Sequence, residues 1–109
     1  MNSLGDTMNL TLRQMEILVA ASQASSFSAA AASVGISQPS LSESIRHVER
    51  ELGLTLFERT TRSLRLTDDG RRAAAIAREL VQDFRAGLDR LSSGTHQGRI
   101  AIAALPSIV

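Results

Sequence analysis

The sequence predicts a mostly α domain, a winged helix-turn-helix followed by a long dimerisation helix, and three stretches carry that expectation. A short Ala-rich run turns through Gly35-Ile36-Ser37 into an amphipathic helix. An Arg- and Thr-rich segment between Leu56 and Leu66 has the pattern of a β-hairpin. From Arg71 to Leu91, apolar residues recur by four and three, which is heptad spacing.

The 109 residues allow one domain with a moderate core, and with 3 Phe and no Trp or Tyr that core is built from Leu, Ile, Val and Ala. The absence of cysteine excludes disulfides and thiolate metal sites. No signal segment and no apolar run near ~18 residues is present, which points to a cytoplasmic chain without a membrane partner. Net charge is only +1, so distribution matters more than the sum. Every one of the 12 Lys-plus-Arg positions is Arg, and Arg46, Arg50, Arg59, Arg62 and Arg65 cluster in the amphipathic helix and the hairpin. Arg offers guanine edges and phosphates a bidentate fork that Lys lacks.

Residues 1–9 lack periodicity and are expected to be a disordered tail, with Met8 a second possible initiator. Thr11 can cap a first helix whose broad apolar face comprises Leu12, Met15, Ile17, Leu18, Val19 and Ala21. Ser28 can cap a second helix from Ala29 to Val34. Ser37 is a good N-cap for a third starting at Gln38, because Pro39 lacks an N–H that would have no partner in a first turn. Leu41, Ile45, Val48 and Leu52 face a core and Gly53 closes the helix. Gln38, Ser42, Glu43, Arg46, His47 and Arg50 form the opposite face.

Helix, tight turn and helix is the arrangement whose second helix enters the DNA major groove. A basic hairpin directly after it acts as a wing, and Arg suits a narrow minor groove. Phe27 and Phe57 are expected to fill the core. Thr67, with Asp68 and Asp69, starts the long helix, in which Gly70 is tolerated close to the start. A helix of about 24 residues would run about 36 Å, too long for so small a domain to cover, so it needs a partner such as its own copy. The pairing residues are Ala73, Ile76, Ala77, Leu80, Phe84, Leu88 and Leu91. Ser92 to Gly98 forms a polar hinge, and Arg99 to Ala103 alternates as a strand that Pro106 ends.

Ser26-Phe27-Ser28, Ala31-Ala32, Ser37-Gln38-Pro39-Ser40-Leu41-Ser42, Ile45, Glu49, Leu52-Gly53, Leu56-Phe57, Arg59, Arg62, Leu66-Thr67 and Gly70 together resemble the N-terminal DNA-binding domain of LysR-type transcriptional regulators. The resemblance reaches back to Leu10-Arg13 and forward to Gly98. Two departures are the unbroken Ala29 to Ala32, where family members often carry a charged or bulky residue, and Glu43, where a basic or small residue is usual. The resemblance implies a tail at 1–9, a winged helix-turn-helix over 10–67, a dimerising linker helix over 68–92, and at 93–109 a hinge with the first strand of an effector domain that the chain lacks. An effector ligand would bind that missing domain, and a tetramer is expected only of the full-length parent.

The leading function is sequence-specific binding of double-stranded promoter DNA by a homodimer at an interrupted inverted repeat. Gln38, Pro39, Ser42, Glu43 and Arg46 are the candidates for base edges in the major groove: Gln reads adenine, Pro and Ser touch a thymine methyl, Glu accepts from cytosine and Arg bridges guanine. Arg62 would enter the minor groove. Ser28, Ser37, Ser40, Arg59, Thr61 and Ser63 are candidates for phosphates, which set register without reading sequence. An adaptor that only dimerises explains the long helix but leaves the Arg-tipped hairpin unused. No catalytic set, cofactor or metal site is expected, since His47 and His96 have no partners at motif spacing.

Overall fold

Thr11, Ser26 and Ser37 start the first three helices by the same device, a side-chain hydroxyl accepting a hydrogen bond from the backbone N–H three residues on. The structure, a computed structural model, describes residues 8–60 and 64–96. Helix α1 spans Leu12–Gln23, and its start is a full capping box: the Thr11 hydroxyl accepts from the Gln14 N–H at 3.1 Å while the Gln14 side chain accepts from the Thr11 N–H at 2.9 Å. Helix α2 spans Phe27–Val34. Its cap is Ser26 rather than the expected Ser28, because Ser26 is extended and its hydroxyl accepts from Ala29 at 3.1 Å. Phe27 and Ser28 therefore lie inside the first turn.

Helix α3, Gln38–Leu52, begins as expected, with the Ser37 hydroxyl accepting from the Ser40 N–H at 3.2 Å and Pro39 in the first turn. Gly35 closes α2 and Gly53 closes α3 in the left-handed conformation, at φ 74° and 69°. Strands β1 (Phe57–Arg59) and β2 (Leu64–Leu66) pair antiparallel, with Phe57 opposite Leu66, Glu58 opposite Arg65 and Arg59 opposite Leu64. Helix α4 runs from Asp68 to His96. Among the described residues no helix is long and apolar enough to cross a membrane.

The chain divides into a unit ending at Glu79 and a second beginning at Leu80. In the first, Ile17, Leu18 and Ala21 of α1 meet Ala30 and Ala31 of α2 and Leu41, Ile45 and Val48 of α3, and Leu56, Phe57 and Ala77 complete the cluster. No buried polar residue occurs among the described residues. With Leu41, Ile45 and Val48 at 0% exposure, α3 is fixed in rotation, since turning it would expose side chains each worth about 1.5–3 kcal/mol of burial.

The start of α4 is locked to the segment ahead of β1. The Thr67 hydroxyl donates to the Thr55 carbonyl at 2.6 Å and accepts from the Gly70 N–H at 2.9 Å, and the Thr67 N–H donates to the Leu56 carbonyl at 3.0 Å. Gly70 is required here rather than tolerated, because a Cβ added to it would stand 2.0 Å from the Leu56 carbonyl oxygen. Two of the expected pairing residues belong to this unit's own packing instead: Ala77 is fully buried and Ala73 is half-buried against the core. Small side chains let α4 approach the domain closely. Ile76 is 68% exposed.

In the second unit Leu80, Phe84, Leu88 and Leu91 remain exposed along α4. The helix continues through Ser92, Ser93, Gly94 and Thr95 to His96, past the expected hinge start, because no proline interrupts it and each weak helix former costs only about 1 kcal/mol or less. Its 29 residues extend about 43 Å. Residues 1–7, the wing tip 61–63, the rest of the hinge and the expected strand lie outside the described residues. Asn9, placed by the sequence in a disordered tail, is bonded on both sides: its N–H donates to Glu51 at 2.9 Å and its carbonyl meets His47 Nε2 at 2.7 Å.

Gly70→Ala forces the Leu56 main chain away from α4. We expect a loss of about 3 kcal/mol, as for overpacking against backbone, measured by urea unfolding.

Candidate nucleic-acid interface

The outward face of α3 follows from its buried one. With Leu41, Ile45 and Val48 inward, Gln38, Pro39, Glu43, Arg46 and Arg50 are exposed and Ser42 is half-buried. Gln38 and Arg46 have no side-chain partner among the described residues. Ser37 donates its hydroxyl to the Ser40 hydroxyl at 3.0 Å, which brings two small polar groups together at the helix start. The first-turn N–H groups of α3 add donors and the positive end of the helix dipole. The result is a narrow edge of small and polar groups with a free guanidinium two turns further on.

Glu49, not singled out as a site residue, sets the wing against this helix. Its carboxylate accepts from the Leu56 N–H at 2.8 Å and the Phe57 N–H at 3.2 Å through Oε2, and from Arg59 Nη2 at 3.3 Å through Oε1. Only 14% of the Glu49 side chain is exposed. The Arg59 guanidinium lies 5.3 Å from the Phe27 ring centroid, and the Phe27 and Phe57 rings meet edge to face at 5.9 Å. Phe57 is a core residue, as expected, and Phe27 packs half-buried beside it. One carboxylate, one guanidinium and two rings thus join α2, α3 and β1.

Residues 12–71 match the family model described as the bacterial regulatory helix-turn-helix protein, lysR family. The chain belongs to the LysR family. An HTH-type transcriptional regulator of Escherichia coli (strain K12), YbhD, is 36% identical over 104 residues, covering 94% of this chain and 33% of that protein. The chain therefore spans about a third of the curated relatives it matches. The DNA complex of the CbnR DNA-binding domain superposes with a TM-score of 0.73 at 28% identity, covering 79% of this chain and 99% of that one. The complex of the BenM DNA-binding domain with catB site 1 DNA gives 0.75 at 30% identity, covering 79% and 96%.

Within this LysR-type fold the expected base-edge residues Gln38, Pro39, Ser42, Glu43 and Arg46 share one helix, with Glu43 held by Arg50 at 3.1 Å. Of the expected phosphate group, Ser37 and Ser40 stand at the start of α3, and Ser28 is exposed in the first turn of α2. Arg59 is committed to Glu49 and Phe27. Thr61, Arg62 and Ser63 lie outside the described residues. His47, expected to face solvent or phosphate, is instead engaged by Asn9.

Glu49 left a positional signal in the sequence. It falls four residues after Ile45 and three before Leu52, on the flank of the core-facing stripe, whereas Glu51 falls on the far flank with His47. Arg13 left none, and its Nη2 donates to the Val34 carbonyl at 2.7 Å, holding α1 to the end of α2.

Glu49→Ala strands two amides and a guanidinium. The expected cost is about 2–3 kcal/mol in chemical denaturation, with faster hydrogen exchange at Leu56 and Phe57 than in the helices.

Proposed function

We propose that this chain is the DNA-contacting part of a LysR-type transcriptional regulator, binding double-stranded promoter DNA as a dimer at an interrupted inverted repeat. The observation that carries the reading is the exposed N-terminal edge of α3, where Gln38 has no side-chain partner among the described residues, set in rotation by the core behind it. Two solved relatives with this fold are DNA complexes of DNA-binding domains, which supports the same partner here. In the major groove Gln38 pairs with adenine, Pro39 and Ser42 contact a thymine methyl, Glu43 accepts from cytosine and Arg46 bridges guanine. Ser28, Ser37, Ser40, Thr61 and Ser63 hold phosphates, and Arg62 enters the minor groove at the wing tip. Arg59 keeps further N–H groups for a phosphate beyond those that Glu49 engages.

Ile76, Leu80, Phe84, Leu88 and Leu91 form the dimer contact through α4, giving two reading heads on one face of the duplex. The parent acts in the cytoplasm by binding rather than catalysis, with its effector on a further domain. A second reading, a dimerising adaptor without a DNA role, is favoured by those exposed α4 residues alone. Salt dependence separates the two, since phosphate contacts release counterions.

Selection from a random duplex pool, with the mass of the chain measured in solution, is expected to recover an interrupted palindrome bound by a dimer. A well-folded dimer that recovers nothing at low salt leaves the adaptor standing. On the selected site, Gln38→Ala is expected to relax base preference within the half-site by about 1–3 kcal/mol. Arg62→Ala should weaken binding most where the flanks are A/T-rich. Uniform loss on all sequences for both variants contradicts these roles.

A further inference from the structure

Two exposed side chains on the proposed reading helix already hold each other. Arg50 donates through Nη2 to Glu43 Oε2 at 3.1 Å, with 60% of the Arg50 side chain and 64% of the Glu43 side chain exposed. They are two turns apart, about 10.5 Å along the axis, so the pair lies lengthwise on the outward face of α3. Arg46, three residues after Glu43 and four before Arg50, shares that face and has no side-chain partner among the described residues. An exposed pair of this kind contributes at most about 1 kcal/mol to stability, so fold maintenance is a weak reason for it. Chemically, the Glu43 carboxylate occupies the place that a phosphate takes against a guanidinium.

Resting on the DNA-binding reading above, we propose that the Glu43–Arg50 pair is a specificity element that exchanges partners on DNA. Arg50 passes from Glu43 to a backbone phosphate at the groove rim. Glu43, released, is satisfied only where the duplex presents an exocyclic amino donor, cytosine N4 or adenine N6, within its reach in the major groove. Opposite a guanine or thymine edge the carboxylate faces acceptors and phosphates, with no donor within reach to replace the guanidinium it gave up. The exchange therefore penalises wrong sequences more than the right one, which is discrimination by repulsion. Arg46 stays on hand for a neighbouring guanine and needs no such exchange.

The test uses the 109-residue chain as wild type, Glu43→Gln, Arg50→Ala and the double variant. Each is titrated with the selected duplex and with a scrambled duplex of the same composition. Glu43→Gln is expected to tighten the scrambled duplex about three- to five-fold, the factor that an exposed ion pair at the upper end of its range represents. It should leave the selected duplex unchanged or weaker. In the Arg50→Ala background the gain on scrambled DNA should fall below about 1.5-fold, the mark of coupling between the two residues. The same gain with and without Arg50 overturns the exchange, because Glu43 then acts through its charge alone. An equal gain on both duplexes overturns the assignment of Glu43 to a base amino group. Wild-type chain that binds neither duplex at low salt overturns the DNA-binding reading itself, a result distinguishable from the other two.

Discussion

The arrangement of the first unit depends on one carboxylate. Glu49 lies on α3, yet all three of its side-chain partners are in the segment that enters the wing, at Leu56, Phe57 and Arg59. Hydrogen bonds that backbone N–H groups donate to a carboxylate are roughly twice as strong as neutral ones, and here they are shielded from water. The α3 main chain ends at Gly53, and beyond it the Glu49 carboxylate ties the Leu56 and Phe57 amides back to the helix while Thr67 holds the Thr55 and Leu56 carbonyls. With these bonds, the wing leaves the helix at a set angle, and Arg59 carries the constraint on to Phe27 in α2.

Leu56 is the point where this constraint meets a second. Its N–H is taken by Glu49, its carbonyl by the Thr67 N–H, and its side chain is fully buried. Gly70 then brings the first turn of α4 against the same carbonyl. Strand β1 is thereby held at its start by α3 and by the first turn of α4, while β2 is held by its pairing with β1. Gln38, Arg46 and Arg65 are exposed and have no side-chain partner among the described residues. The proposed contacts thus fall on side chains that folding does not use.

Local rules made much of this legible. Thr11, Ser37, Gly53 and the Leu41-Ile45-Val48 stripe declare the ends and the rotation of α1 and α3 from sequence alone, because caps and periodicity act within a turn or two. Ser26 and Ser28 are both good caps, and only the extended backbone at Ser26 decides between them. The role of Gly70 was hidden because it depends on Leu56, fourteen positions away and adjacent only once β1 has docked. Ala73 and Ala77 fit the heptad pattern as well as Leu80 does, and which of them a helix buries in its own domain depends on tertiary contact, not on spacing. Ser92 to Thr95 looked like a hinge by composition, but helix propagation costs little once it is under way.

A net charge of +1 looks like a poor basis for holding a polyanion, and the pairing pattern resolves this. Glu16, Glu49, Asp68 and Asp69 are each engaged by an Arg on the scaffold, and Glu43 by Arg50 on the reading face. Such pairs cancel at distances beyond about 8–10 Å, where salt screens what remains. What a duplex would meet at contact distance is the unpaired remainder, including Arg46 on α3 and Arg65 on β2. A duplex-binding surface with so little far field would gain little from steering and would rely on groups that act only within hydrogen-bond reach. That shifts the balance from backbone attraction toward base edges, since the phosphate term scales with the charges neutralised and the base term does not. Glu43, exposed on the outward face of α3 and held by Arg50, then matters more than its single charge suggests: on a weakly basic surface, under the proposed exchange, each phosphate contact withheld until the right base is present would be a large share of the total.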